Sequence, residues 1–282
     1  MIEVVIESPD DFDAWRAKAR GLLRIGAHPA DVHWRMAQDA PSLFSGGAAI
    51  AHRPAAASLP AIHNAVPKIF LALAQIAMLH RDEQRFARLY SILWRLQSER
   101  GLLSRRNDDD IGWLHDRAKS VRRDIHKMHA FVRFKKIGEN QDGREAFAAW
   151  YEPDHYITRH TAGFFRKRFY GMDWAIITPH ARAIWQDEIL CFGPGGERSE
   201  VPIHDVIDDQ WRTYYGAIFN PARIKIKAMQ SEMPKKYWKN LPEADQILPL
   251  LIEAPDRVKA MHEKAVQAAN PKAEKWQAML ER

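Results

Sequence analysis

An α+β fold is expected for this 282-residue chain: a small antiparallel sheet covered by basic helices, after a largely helical N-terminal half. Three observations lead there. Apolar residues recur at three- and four-residue steps through residues 67–97 and again from Ile111 to Met128, the signature of helices with one buried face. Short alternating runs follow at 174–178, 182–185 and 188–192, closed by Gly193-Pro194-Gly195-Gly196. Between these two regions, residues 121–174 read as helix, strand, strand, helix, with basic, aromatic and histidine side chains interleaved.

In order, residues 2–6 form a short strand. Ser8, Pro9, Asp10 and Asp11 then predict a helix start with Ser8 as the hydroxyl cap and acids near the positive end of the dipole. Phe12, Trp15, Ala19, Leu22 and Leu23 line that helix, and Gly26 stops it. Residues 31–36 predict a second strand, and 39–60, rich in Ala, Pro, Ser and Gly, a loop. Residues 67–80 and 82–97 predict two helices. Residues 100–110, with Asn107 and three aspartates, predict a linker, so the domain boundary is expected between 1–106 and 107–282. Strands at 174–178, 182–185 and 188–192 follow the central stretch. A helix at 205–219 is expected to turn Ile207, Trp211, Tyr214 and Ile218 inward. Asn220 and Pro221 start a further helix over 222–233, and two C-terminal helices are expected at 243–253 and 256–269.

Composition narrows the class. One cysteine, Cys191, excludes an internal disulfide and fits a reducing compartment. No basic-then-apolar leader opens the sequence, and no apolar run reaches the ~18 residues of a membrane span. A soluble, cytoplasmic protein with no membrane association is the expectation. The net charge of +6 is unevenly spread. Residues 113–136 carry eight Lys/Arg against two Asp, and residues 212–239 carry seven against one Glu. Arg159 and the Arg166-Lys167-Arg168 run add to this, so the rest of the chain is net acidic. Segregated positive charge is the footprint of a phosphate-binding surface; an acidic protein partner or membrane would leave the same one.

The candidate nucleic-acid surface follows from this pattern. On the helix through Ile111, Leu114, Ala118, Val121, Ile125 and Met128, the side opposite that apolar stripe presents Lys119, Arg123, His126 and Lys127. Residues 130–136 read as a strand with Ala130, Val132 and Phe134 on one face and Phe131, Arg133 and Lys135 on the other. A ring beside two cations suits single-stranded nucleic acid, whose bases stack on aromatics; a sheet that simply buries Phe131 fits the same pattern. Arg166, Lys167 and Arg168, and then Lys225 and Lys227, extend the basic surface. Lys235, Lys236, Tyr237 and Trp238, in a segment bounded by Pro234 and Pro242, complete it, with Tyr237 or Trp238 as a stacking ring or a core anchor. Arg133 either binds phosphate or pairs with a carboxylate such as Glu152.

The blocks RRDIHKMHAFVRF, WYEPDHYI, FFRKRFYGMDWAIITP, FGPG and WRTYYGAIFNPARIKIKAMQSEMPKKYWKNLPEA resemble a domain-of-unknown-function family grouped with DNA metabolism. Its members are similar to a domain encoded beside a radical-SAM protein assigned to DNA repair, or fused ahead of a UdgX-type uracil-DNA glycosylase. The resemblance implies DNA or RNA as a partner, and a uracil-DNA glycosylase-like or radical-SAM protein as a working companion. It implies no mechanism. The Gly-rich water-activating segment and cysteine cluster ligands of such a glycosylase are absent from these 282 residues, so uracil excision by this chain alone is not expected.

A catalytic alternative rests on Asp124, His126, His129, Glu152 and His155. Histidines three apart and a Glu-x-x-His could gather a divalent metal, and Glu152 or His155 could serve as a general base. Each also has a structural explanation: Asp154 as a helix cap, His155 in the first helical turn, His126 on phosphate, His129 as a hydrogen-bonded histidine. The sequence contains no His-Glu-x-x-His, phosphate-loop or Gly-x-Ser-x-Gly motif and no cysteine cluster, and neither a cofactor nor a resident metal is expected.

Overall fold

The computed structural model describes residues 1–39, 65–140, 143–205 and 207–267. In chain order the elements are β1 (Ile2–Ile6), α1 (Phe12–Arg24), β2 (Val32–Met36), α2 (Lys68–Ala77), α3 (Arg85–Arg95), α4 (Asp109–Phe131), β3 (Lys135–Glu139) and β4 (Glu145–Trp150). There follow α5 (Thr158–Arg168), β5 (Asp173–Ile177), β6 (Ala181–Gln186), β7 (Ile189–Pro194), α6 (Ile207–Ile218), α7 (Ile226–Glu232), α8 (Lys235–Trp238) and α9 (Ile247–Gln267). The fold is α+β. One sheet is the parallel pair β1–β2; the other has the order β3-β4-β5-β6-β7, with β3–β4 and β6–β7 antiparallel. The loop expected at 39–60 lies, beyond Asp39, outside the described residues.

Two compact units divide the chain. The first takes Met1–Ala130, Tyr151–Gly171 and Ala175–Glu197; the second takes Phe131–Trp150, Met172–Trp174 and Arg198–Arg282. The expected boundary at 106/107 falls inside the first unit.

In the first unit, β1 and β2 pair from Ile2↔Val32 to Ile6↔Met36, and alternation buries Val4, Ile6, Val32, Trp34 and Met36. Trp34 sits among Trp15, Phe86 and Tyr90, with ring centroids 5.8–6.3 Å apart. The polar ends of two of these rings are satisfied: Trp15 Nε1 donates to the Phe86 carbonyl and Tyr90 Oη to that of Ala27. The cap of α1 is Asp11, which accepts from the Ala14 amide at 2.9 Å, and not Ser8, whose hydroxyl donates to Asp10. Gly26, at φ 65°, ends that helix as expected. The stretch 100–110 is no free linker. Arg95 of α3 binds Asp108 at 2.5 Å and Asp110 at 3.0 Å, and Arg88 binds Asp110 at 3.1 Å.

The segment 130–134, expected in a strand, belongs to the end of α4 and the residues after it. Ala130 and Phe131 complete the last turn of α4, whose apolar stripe ends at buried Met128, and residues 132–134 lie between that helix and β3. The strand begins only at Lys135, where β3 pairs with β4 from Lys135↔Ala148. Asp154 does not cap α5 either: the helix starts at Thr158 behind Ile157, without a side-chain cap.

In the second unit, α6 turns only part of the expected face inward, with Ile207 and Trp211 half-buried. Tyr214 and Ile218 are 58% and 57% exposed, whereas Asp208 is buried and Trp211 and Tyr215 are half-buried one and two turns on. A polar anchor sets this face: the buried Lys135 ammonium pairs with Asp208, and Asp205 accepts from the Lys136 amide at 2.7 Å. The two expected C-terminal helices are one, α9, with Pro255 inside it. Pro255 is exposed, so water can reach the carbonyl that its missing N–H leaves unbonded.

Candidate nucleic-acid interface

Within the first unit, α4 and α5 bring a row of cations and a ring pair together. The apolar stripe of α4 is buried as expected, with Ile111, Leu114, Ala118, Val121 and Met128 in the core. Lys119, Arg123 and His126 are exposed on the other side, as is Arg122; Lys127 is half-buried. Thr158, Thr161, Ala162 and Phe165 form the buried face of α5, which packs on β6. His160, Phe164 and Lys167 therefore point outward at helical spacing, and Arg166 and Arg168 are exposed too. The helices meet where Thr161 Oγ1 donates to Met128 Sδ at 3.2 Å and where His129 stacks on Phe164, centroids 3.9 Å apart and planes 21° from parallel. Burial lowers the pKa of His129, reinforced by His126 and His160. Its ring is thus neutral at pH 7.

Charge pairing sets this face apart. Arg88, Arg95 and Arg117 of the same unit all hold carboxylates within about 3 Å. Among the described residues, Lys119, Arg122, Arg123, Arg166 and Lys167 have no carboxylate partner. Clustered like charge without counter-charge is costly to a fold and suited to an anionic ligand.

The second unit arranges its cations and rings differently. Tyr237 is 3% exposed and stacks on Phe131 at 5.4 Å, so both rings are packing residues. Trp238 is half-buried and donates Nε1–H to the Met233 carbonyl at 3.0 Å. Lys236 lies over the Tyr237 ring at 4.6 Å and Lys235 over Trp238 at 6.0 Å. Arg133 pairs with Glu243 at 2.5 Å and lies 4.1 Å over Trp211. Lys135 is 5% exposed. Phe131, Arg133 and Lys135, expected on an outward strand face, are therefore built into the packing of this unit. Lys225, Lys227, Lys235 and Lys236 remain exposed.

The residues of the catalytic alternative are spread over different environments. Asp124 and His155 are buried, and His126 is exposed. Asp124 accepts from the backbone N–H of His155 at 3.0 Å. His155 Nδ1 accepts from the Arg81 amide, which assigns its proton to Nε2, and Nε2 faces Ser120 Oγ at 2.9 Å. An imidazole that donates to a serine cannot also take that serine's proton. His155 stacks on His80 at 4.2 Å, and burial pushes His80 down to a pKa of about 4. Nearby, Asp82 accepts from Trp113 Nε1 and Arg117 Nε, both at 3.0 Å. The group reads as a bonded polar core that joins the turn between α2 and α3, α4 and the approach to α5. Among the described residues no three His, Cys, Asp or Glu side chains gather as metal ligands.

Sequence reasoning missed Arg122, His160 and Phe164 on the α4–α5 face. A signal for Phe164 was present: Thr158, Thr161 and Phe165 mark the buried stripe, one residue away from it. No helix among the described residues is long and apolar enough to cross a membrane. Comparison with curated proteins and with solved structures finds no match. A family model does match, over residues 83–243, which is more than half of the chain and includes α4, α5, α7 and α8. By that match the chain belongs to DUF4130, a domain of unknown function.

Proposed function

We propose that this chain is an accessory nucleic-acid-binding protein, with DNA as the first candidate ligand, serving DNA repair or metabolism. One observation carries the reading: the cations Lys119, Arg122, Arg123, Arg166 and Lys167, without carboxylate partners, crowd onto the exposed faces of two packed helices. Such a surface neutralises phosphates and releases counterions, so affinity falls as a power of salt concentration. The resemblance to domains found beside a radical-SAM repair protein or a uracil-DNA glycosylase supports a role in which this chain holds the substrate and a companion does the chemistry. A cytoplasmic setting accords with the single cysteine.

Binding of labelled DNA, measured from low to moderate salt, tests the reading. A log–log slope of about −0.7 to −0.9 per bound phosphate is expected. Reversing Arg122, Arg123 and Lys167 to Glu should abolish binding without loss of fold, and a flat salt dependence in the wild type would overturn it.

A second reading has an observation of its own. Tyr214 and Ile218 of α6, Ile226 of α7, and Leu248 and Ile252 of α9 are each at least 50% exposed in the second unit. Exposed apolar side chains beside Lys225 and Lys227 suit docking of a protein with acidic and apolar residues. Association with a companion enzyme that persists in high salt, without any DNA affinity, would favour that adaptor role.

A further inference from the structure

We infer that the α4–α5 face takes a single-stranded polynucleotide, with Phe164 as a base-stacking platform and Lys119, Arg122, Arg123 and Lys167 on the phosphates. This rests on the nucleic-acid reading and names its substrate class. Phe164 is 41% exposed although the helix around it is well packed. One face lies on His129 at 3.9 Å, and the Phe165 ring stands T-shaped to it at 5.3 Å and 86°. Held from two directions, the ring has little rotamer freedom left to lose, and its open face is presented to solvent.

Single exposed aromatics are common on protein surfaces and need no ligand. Phe164 differs in its surroundings. Lys167 follows one turn along α5; His126, Arg122, Arg123 and Lys119 lead away from His129 along α4. From residue 119 to residue 129 the helix rises about 15 Å, room for a few nucleotides. A fixed ring at one end of a cationic row matches the pairing of stacking platform and electrostatic track found in single-strand binders. In a duplex each base face is already covered by its neighbours, so a duplex would use the charges and leave the ring idle. The neutral state of His129 adds to the case, since a charged ring beneath Phe164 would repel the adjacent cations.

The experiment measures binding of the full chain to oligothymidine, oligouridine and a duplex of equal length across a range of salt. Phe164→Ala should weaken single-strand binding roughly 5- to 150-fold, the range for removal of one base stack. It should leave the salt slope, the duplex affinity and the melting temperature nearly unchanged. Phe164→Leu keeps an apolar side chain over His129 but removes the ring, and should weaken binding as much; Phe164→Trp should restore it. The strand that is weakened more identifies DNA or RNA as the ligand, and either result carries the inference. Wild-type affinity in both Phe164→Leu and Phe164→Ala, with salt-dependent binding intact, would overturn the platform and leave the nucleic-acid reading standing. Absence of salt-dependent binding in the wild type would remove both.

Discussion

The α4–α5 face and the α7–α8 segment carry nearly the same ingredients, cations beside aromatic rings, and use them in opposite ways. In α8 the lysines cover the rings, and the rings are tied down: Tyr237 against Phe131, Trp238 through Met233. On α4–α5, Lys119, Arg122, Arg123, Arg166 and Lys167 have no carboxylate partner among the described residues, and Phe164 is 41% exposed. An aromatic-basic cluster is therefore not by itself a ligand site. What separates the two is whether ring and charge have already found each other inside the fold.

The largest expected difference is in stability. Tyr237→Ala should cost about 3–5 kcal/mol, as for other large buried aromatics, whereas Arg122→Ala or Lys167→Ala should stay within about 0.5 kcal/mol; denaturant titration of the three variants checks this. Lys135→Ala belongs with Tyr237, since it strands the Asp208 carboxylate in the interior at a cost of about 3–5 kcal/mol. Replacing both partners, Lys135→Met with Asp208→Leu, should recover most of that stability. If the stranded carboxylate is not the source of the damage, the single and double variants will be equally unstable, so the pair of measurements separates the two.

Acid stability comes next in size. His80, at a pKa of about 4, is protonated more readily unfolded than folded; His129, His160 and His180 shift the same way by burial. The unfolded chain thus binds more protons between pH 6.5 and 4. Stability should be full above about pH 6.5 and fall as the pH drops toward 4, by about 2–3 kcal/mol from His80. His80→Asn, which keeps an acceptor for the Asp82 amide, should flatten that limb in melts taken across the range. An unchanged limb would mean that the His80–His155 stack is not where acid acts.

Smaller again is Trp238→Phe, which removes the bond to the Met233 carbonyl together with part of a half-buried ring and should cost about 1–2 kcal/mol by thermal melting. The finest comparison is of salt slopes. Arg122→Ala with Arg123→Ala should lower the slope by about 0.7–0.9 for each phosphate left without its cation. Lys235→Ala with Lys236→Ala should lower it less, because those ammonium groups already lie over rings. Equal changes in the two double variants would erase the distinction between the faces.

Much of the fold was legible locally. Helix α4 followed from its apolar stripe, strands β5 to β7 from alternation between turn residues, and the end of α1 from Gly26. Illegible features were those in which two local patterns competed or a distant residue cast the deciding vote. Residues 130–134 fit a strand in isolation, but Ala130 and Phe131 complete the helix that precedes them and residues 132–134 belong to neither helix nor strand. The inward face of α6 depended on Lys135, more than seventy residues away in sequence. The candidate site divided in the same manner: the basic helix faces were readable, the stacking ring was sought on α8, and the open ring was found on α5.

By itself, then, the sequence determined the fold class, the segregation of positive charge and the buried stripes of α1 and α4, because periodicity and composition are properties of neighbouring residues. Only the tertiary structure decided which cations stay clear of carboxylates and which rings stay open. Lys135 met Asp208, Arg133 met Glu243, Tyr237 met Phe131, and Phe164 kept one face to solvent. The physical reason is that burial and pairing are relations between residues distant in the chain. A lysine or an aromatic ring has no fixed role until packing brings it a partner or leaves it without one.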